Sequence, residues 1–308
     1  MRITERIDRA THVPESAHIL MPPVPRSVKI ELSSRCNYRC QFCALSSREV
    51  QPQRDMPFEV FTQIADKLHH AGIEEYGLFL MGESFMAPEL LVQAVIYLKH
   101  VLHVPYVFLT SNASLAGAEI VKRAMDAGLD SLKWSVNASS PTQFTAVTGA
   151  SATVYTQACK NLQAAWALRR TYGYATRLSA SSIHYDDAQR VEMQAFVGRE
   201  VMPFVDEHYW LPLYSMGGVA TTGGGNPGRR DNPVAPLPCW QLFSEAHVLM
   251  DGWMTTCSFD ATGRMVVGDL LQHSFLDVWH SEAFQTLRRA HLAGNVAGTA
   301  CAPCVVGS

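Results

Sequence analysis

Six apolar, strand-like segments alternate with amphipathic, helix-like segments between residues 28 and 215. The strand-like segments are VKIELS, YGLFLMG, YVFLTSN, SLKWSVNAS, TRLSASSIHY and FVDEHYWLPLY. About one helix lies between successive segments, and such spacing is typical of parallel strands joined by helical crossovers. The sequence therefore predicts an α/β fold, either an open doubly wound sheet or a partial barrel. In both folds, functional residues follow the carboxyl ends of the strands.

The regions flanking this α/β array differ from it in composition. Residues 1–27 are predicted to be an N-terminal extension, because Pro22, Pro23 and Pro25 oppose regular structure. Residues 216–236 are rich in Gly, Pro and Asn, which predicts a linker or lid loop. Residues 237–308 carry four cysteines and are too short for a strong core of their own. We therefore expect a metal to help hold this C-terminal tail together.

Composition and charge exclude several classes of protein. The net charge is −3, and no basic stripe indicates a nucleic-acid or anionic-lipid partner. The polar N-terminal sequence lacks the apolar stretch of a signal peptide, and no apolar run is long enough to cross a bilayer. We expect a cytoplasmic enzyme that binds neither nucleic acid nor membrane.

Seven of the eight cysteines fall into two groups. The first group is Cys36, Cys40 and Cys43, and the second is Cys239, Cys257, Cys301 and Cys304. In a reducing compartment, clustered cysteines more often bind metal than form disulfides. Three thiolates suit an iron–sulfur cluster with one iron left open, although zinc with a distant fourth ligand is an alternative. Four thiolates suit a fully ligated [4Fe–4S] cluster or a zinc site.

The first group has the spacing CxxxCxxC, with Phe42 before its last cysteine, and it follows the first predicted strand. This pattern resembles the radical S-adenosylmethionine (SAM) superfamily. The resemblance implies a partial (β/α)6 barrel in which Cys36, Cys40 and Cys43 hold a [4Fe–4S] cluster. It also implies that the open iron binds SAM and that SAM cleavage releases a 5′-deoxyadenosyl radical. An electron donor such as flavodoxin or ferredoxin is the expected protein partner.

Further segments are similar to SAM-contacting parts of that family. In LFLMGESF, Gly82 and Glu83 match a GGEP-like motif that holds the SAM amine, whereas Met81 and Ser84 depart from it. Polar residues at the ends of the later strands are expected near the SAM ribose and carboxylate. The resulting cofactor-binding set is Phe42, Gly82, Glu83, Ser111, Asn112, Ser135, Asn137 and Ser182.

The tail resembles the twitch domain, a shortened form of the SPASM iron–sulfur domain. Between its early and late cysteines lies a GDL…W segment, with Gly268, Asp269, Leu270 and Trp279. The resemblance implies one auxiliary [4Fe–4S] cluster held by Cys239, Cys257, Cys301 and Cys304. A fully ligated cluster has no open iron and passes one electron.

The cysteine spacings resemble those of aminoglycoside-pathway enzymes. These are 2-deoxy-scyllo-inosamine dehydrogenase, the spectinomycin-pathway dehydrogenase and the epimerases of the neomycin and hygromycin pathways. An epimerase must return a hydrogen atom, usually from a thiol, and only Cys159 remains outside the two groups. Because Cys159 lies on a predicted outer helix, we expect oxidation of a sugar or aminocyclitol alcohol to a ketone.

Two alternatives to this dehydrogenase remain. An epimerase is possible if Tyr185, Tyr209 or Tyr214 donates hydrogen. A peptide-modifying radical SAM enzyme is the other, although the 27 residues before the first strand are too few for a fused peptide-recognition domain.

Alcohol oxidation also requires a base for the hydroxyl proton. We expect His184, at the end of the fifth strand, to be that base, with Arg177 as its electrostatic partner. Glu207 is a further catalytic candidate, and with Asp206 it offers a site for substrate ammonium groups.

Overall fold

The computed structural model describes residues 1–47, 53–213, 216, 237–260 and 263–305. The predicted linker or lid at 216–236 lies outside this description apart from Met216, and so does Tyr214. Within the described residues, no helix is both long and apolar enough to span a bilayer.

One continuous sheet of nine strands runs through the described residues in the order β6-β5-β4-β3-β2-β1-β7-β8-β9. Its strands are β1 (Ser27–Ile30), β2 (Glu75–Gly77), β3 (Tyr106–Ser111), β4 (Ser131–Ser135), β5 (Arg177–His184), β6 (Glu207–Pro212), β7 (Glu245–Val248), β8 (Trp253–Thr255) and β9 (Val266–Asp269). Strands β1 to β6 are parallel, which confirms the predicted α/β partial barrel. The tail extends this sheet, because β7 pairs with β1 in parallel and β8 and β9 follow as antiparallel strands.

Helices cover the outer face of the barrel and also occur in the tail. They are α1 (Ile3–Thr11), α2 (Phe58–His70), α3 (Pro88–Ile96), α4 (Ala118–Asp126), α5 (Pro141–Thr148), α6 (Ala152–Tyr172), α7 (Asp187–Phe196), α8 (Gln241–Ser244), α9 (Phe275–Trp279), α10 (Glu282–Leu292) and α11 (Ala302–Val305). The outward side chains of the strands, such as Leu132 and Trp134, are fully buried in the main core. The opposite side chains face the barrel interior, because successive residues of a strand point to opposite faces.

Helix α1 was not predicted, and it closes the end of the barrel opposite the cysteine loop. The Arg6 guanidinium lies 2.8 Å from the Glu75 carboxylate and stacks 3.4 Å from the centre of the Tyr106 ring. At the start of the helix, the Ile3 amide donates to Glu207 over 2.9 Å. The three prolines follow this helix, so they limit regular structure only in the second half of the extension.

The second half of the extension is bound by the tail. The Trp279 indole donates to the Pro23 carbonyl over 3.2 Å. The Arg288 side chain is fully buried and donates to the carbonyls of Leu20 (3.1 Å), Leu242 (2.9 Å) and Trp279 (2.7 Å). Its guanidinium also stacks 4.3 Å from the centre of the Trp279 ring. The GDL…W segment therefore has a structural role, since its tryptophan organises this junction.

We expect Arg288→Met to reduce the free energy of unfolding by about 3 kcal/mol, because three carbonyls, two of them in fully buried contacts, lose their donor. The exposed neighbour on the same helix, Arg289, supplies the control, and Arg289→Met should change stability by less than about 0.5 kcal/mol. Denaturant midpoints of the two holoenzyme variants would measure the difference. Equal midpoints would show that Arg288 does not hold the junction.

Candidate active site

A cavity of about 390 Å³ occupies the barrel interior. Strand β4 contributes the inward side chains of Ser131, Lys133 and Ser135, and α1 contributes the floor. Aromatic rings form much of the wall: Phe42, Phe79, Tyr106, Phe108, Tyr209, Trp240 and Phe259. A cavity of this size, lined by aromatic rings together with many polar and charged side chains, is typical of a site for a polar small molecule.

The three-cysteine loop lies at the carboxyl end of β1, as predicted. The Tyr38 amide donates to the Cys36 sulfur over 3.4 Å, and the Asn112 side chain lies 3.9 Å from the same sulfur. Burial raises the pKa of Cys40 well above its usual range, and the nearby thiols of Cys43 and Cys36 raise it further. The three sulfurs are therefore close together, in surroundings where thiolates need a metal to balance their charge.

The four tail cysteines also converge. Burial raises the pKa of Cys257 well above its usual range, and nearby Cys239, Cys301 and Cys304 add to the effect. The Phe259 amide donates to the Cys257 sulfur over 3.4 Å, a contact of the kind that tunes cluster potentials. The four tail thiols therefore lie near one another, and their role as ligands of one cluster stays a prediction.

The chemistry of both cysteine groups suits iron–sulfur clusters. Four thiolates ligate such a cluster fully, whereas three leave one iron open. Across the described ranges, no group of three or more His, Cys, Asp or Glu side chains is arranged to hold a single metal ion.

The Gly82–Glu83 turn joins the cysteine loop to β3. A Cβ atom on Gly82 would lie 1.8 Å from the Ser33 carbonyl oxygen, so only glycine fits. The buried Glu83 carboxylate accepts from the Asn112 amide (2.7 Å) and the Ser111 hydroxyl (3.0 Å). Burial raises the pKa of Glu83. Glu83 and Ser111 thus organise these loops through their side chains, and their SAM contacts stay a prediction.

The other predicted cofactor residues lie on different faces of the sheet. Phe42, Ser135 and Asn137 line the cavity, and the Asn137 side chain also accepts from the Ile183 amide over 3.1 Å. Ser182 faces away from it, because its neighbours Ser181 and Ile183 occupy the inward positions. Its hydroxyl lies 2.9 Å from the His208 ring. This outward position gives no support to a SAM contact by Ser182.

The structure does not bring the three predicted catalytic residues together. Arg177 and Glu207 are the first residues of β5 and β6, at the end of the barrel opposite the cysteine loop. Glu207 there binds the start of α1. His184 is at the carboxyl end of β5, 3.3 Å from the exposed Asp187, and it does not line the cavity. The predicted pairing of Arg177 with His184 was wrong, because the two residues lie at opposite ends of β5.

The predicted ammonium site at Asp206 and Glu207 is also occupied within the protein. The Asp206 carboxylate lies 2.6 Å from the Arg169 guanidinium and 3.5 Å from that of Arg177. It also accepts from the Leu178 amide over 2.9 Å. These contacts stabilise the amino end of β5. Because the Asp206 carboxylate is already paired, we expect substrate to bind in the cavity and not at Asp206.

Sequence reasoning missed two lysines in the cavity, Lys29 and Lys133. Lys29 lies 2.7 Å from the Glu245 carboxylate, which also accepts from His247 over 3.1 Å. Burial alone would raise the pKa of Glu245, but Lys29 and His247 bring it to about 2. The sequence did carry a signal for Lys133. Side chains alternate between the two faces of a strand, so in SLKWS the apolar Leu132 and Trp134 share one face and Lys133 lies on the other, inward face.

A partial parallel barrel with a three-thiolate loop, a separate four-thiolate group and a shared cavity defines an iron–sulfur enzyme. Family comparison agrees with this geometry: the radical SAM superfamily matches residues 30–172, and the SPASM iron–sulfur cluster-binding domain matches residues 239–305. The chain therefore contains a radical SAM domain, and its tail carries a SPASM-type domain. These two domains imply SAM and an auxiliary iron–sulfur cluster, as predicted. No curated protein sequence matches the chain significantly.

Several solved structures share the fold. BtrN in complex with AdoMet and 2-DOIA is 16% identical, with 91% of each chain covered and a TM-score of 0.59. Streptococcus suis SuiB bound to precursor peptide SuiA is 13% identical, with 88% of this chain and 68% of that chain covered and a TM-score of 0.66. Native anSMEcpe with bound AdoMet is 12% identical, with 86% and 83% covered and a TM-score of 0.64. At these identities the likeness shows the fold alone.

Proposed function

We propose that this protein is a radical SAM dehydrogenase that oxidises a sugar or aminocyclitol alcohol to a ketone in aminoglycoside-type antibiotic biosynthesis. One observation carries the proposal: residues beside both cysteine groups line the same cavity. Phe42 precedes Cys43, whereas Ser258 and Phe259 follow Cys257. A substrate in the cavity therefore contacts the surroundings of both proposed clusters.

The bound groups would supply a hydrogen-abstracting radical from SAM at the first cluster and a one-electron acceptor at the second. The residues of the chain position the substrate and shape the cavity around it. Gln241 accepts from the Ser258 amide over 2.7 Å, which fixes the loop beside Cys257 against the cavity. Ser135 and Asn137 offer hydrogen bonds to substrate hydroxyls near the carboxyl end of β4. The aromatic wall excludes water from the reacting carbon.

The wall composition suits a ring that carries hydroxyl and amino groups. Aromatic faces pack against the C–H faces of a cyclitol and attract ammonium groups through cation–π contacts. Both carboxylates of the described wall are already paired, Glu75 with Arg6 and Glu245 with Lys29. Ammonium groups would therefore bind mainly to rings and hydroxyls.

The described wall favours oxidation over epimerisation, because it contains no cysteine. Cys159 borders a second cavity, of about 40 Å³, which shares Ser135 and Asn137 with the main cavity; Cys159 itself does not line the main cavity. Tyr209, by contrast, does line the main cavity and could donate hydrogen, so an epimerase is the second candidate function.

The test is anaerobic turnover in deuterated buffer with a panel of aminocyclitols that includes 2-deoxy-scyllo-inosamine. We expect a product two mass units lighter than its substrate and one SAM consumed for each product. Unchanged connectivity with one solvent deuterium on carbon would instead establish epimerisation. Turnover of a ribosomal peptide, with none of the panel, would establish peptide modification.

A further inference from the structure

We propose that Lys133 is the catalytic base that removes the hydroxyl proton of the substrate during this oxidation. The inference rests on the proposed function and adds a residue to it. Lys133 lies in the middle of β4, beside Thr110 of β3 and Ser179 of β5 in the strand register. Its side chain therefore enters the cavity from the centre of the wall.

Lys133 differs from the other charged groups of the cavity in having no ionic partner. The titratable groups that face the cavity from the surrounding elements are Arg6 of α1, Lys29 of β1, Glu75 of β2, Tyr106 of β3, Tyr209 of β6 and Glu245 of β7. Arg6 is paired with Glu75, and Lys29 is paired with Glu245. Among the described residues, Lys133 makes no hydrogen bond or ion pair, and its Nζ lies 5.9 Å from the centre of the Tyr209 ring.

The surroundings of Lys133 favour the neutral amine, which is the form that accepts a proton. Burial, assisted by the charge of Lys29, lowers the pKa of Lys133 to about 8. A substrate ammonium in the same cavity would lower this pKa further, since like charges disfavour the protonated form. A base with a pKa near the working pH is effective in proton transfer.

The oxidation balances with Lys133 in this role. With SAM and both clusters bound, the carbinol carbon would lose one hydrogen atom to the SAM-derived radical and become a carbon radical bearing the hydroxyl. Lys133 would then accept the hydroxyl proton as the O–H bond breaks, the tail cluster would serve as the one-electron acceptor, and the C–O bond would become C=O. The Lys133 ammonium would later release the proton to solvent.

A titration that needs no substrate is the first test. In holoenzyme with oxidised clusters and [¹³Cε]lysine, the Lys133 resonance is the one absent from the Lys133→Arg variant. We expect its midpoint near pH 8. The exposed Lys160 of α6, assigned by Lys160→Arg, is the control in the same spectra. A Lys133 midpoint equal to that of Lys160 would overturn the proposal.

The second test separates base catalysis from simple charge. With the panel substrate that the wild type oxidises, Lys133→Met and Lys133→Arg should each lower ketone formation by about 100-fold or more. Arginine keeps the charge but does not deprotonate. Both variants should still form 5′-deoxyadenosine, and Lys160→Met should behave as wild type. The wild-type rate should rise with pH through about 8 and then level off, whereas Lys133→Arg should lack this rise.

Different results would reject Lys133 as the base and reject the dehydrogenase function. Full ketone formation by Lys133→Arg, or an equal loss of 5′-deoxyadenosine and ketone in Lys133→Met, would reject Lys133 as the base. Either result would leave the dehydrogenase function intact. A wild-type product that is not two mass units lighter would reject the dehydrogenase itself.

Discussion

Cys239→Ala is expected to retain SAM cleavage and to lose ketone formation by about 100-fold or more. The variant removes one ligand of the proposed tail cluster, whereas the three-cysteine loop lies on a different part of the sheet. Without an electron acceptor, the substrate radical has no route to the ketone. Iron content should fall from about eight to about four atoms per chain.

Cys159→Ala is the matched control for this variant, because Cys159 packs on the outer face of the sheet and belongs to neither cysteine group. It should keep iron content, SAM cleavage and ketone formation. Formation of 5′-deoxyadenosine and of product would be quantified in the same reactions. Full ketone formation by Cys239→Ala would remove the tail cluster from the mechanism.

Gly82→Ala should abolish productive SAM binding, with at least about a 100-fold loss of 5′-deoxyadenosine. The new Cβ would meet the Ser33 carbonyl oxygen at 1.8 Å, so the backbone must move. The movement cannot be local, because Ser33 donates to Asp55 over 2.7 Å and the Glu83 amide donates to the Arg35 carbonyl over 2.8 Å. Displacement of this turn shifts the strand ends that surround the three-cysteine loop.

Gly198→Ala supplies the control for that substitution, since a Cβ on Gly198 meets no atom within 4 Å. Equilibrium dialysis with SAM and measurement of 5′-deoxyadenosine would compare the two variants. Iron content would show whether each variant still holds its clusters. Wild-type SAM affinity in Gly82→Ala would contradict the close approach seen at this turn.

Local patterns predicted the barrel well. Each strand from β1 to β6 falls within or beside its predicted segment, because buried parallel strands are short apolar runs separated by helices. Helix α5 was missed because it is only eight residues long, although Ser140 caps it and Pro141 begins it. The tail strands were missed because β8 has three residues and becomes a strand only by pairing with β7 and β9.

The positions of the predicted catalytic residues show what the sequence left undefined. The predicted fifth and sixth segments begin before Arg177 and Glu207. The sequence alone therefore does not define at which end of the barrel these two residues lie. In the structure, Arg177 and Glu207 are the first residues of β5 and β6, whereas His184 is the last residue of β5. His184 therefore lies at the opposite end of the barrel from both of them. Lys133 was overlooked because a lysine in a strand is usually solvent-exposed, and its inward face is defined only by closure of the barrel.

The sequence by itself determined the alternating barrel and both groups of thiolates, because periodicity and cysteine spacing act over a few residues. Only the tertiary structure decided that the two cysteine groups border one cavity and that α1 forms its floor. The same holds for Lys133, which is left without an ionic partner among the described residues. These features depend on strand order and on which face of each strand turns inward, and contacts between distant parts of the chain set both.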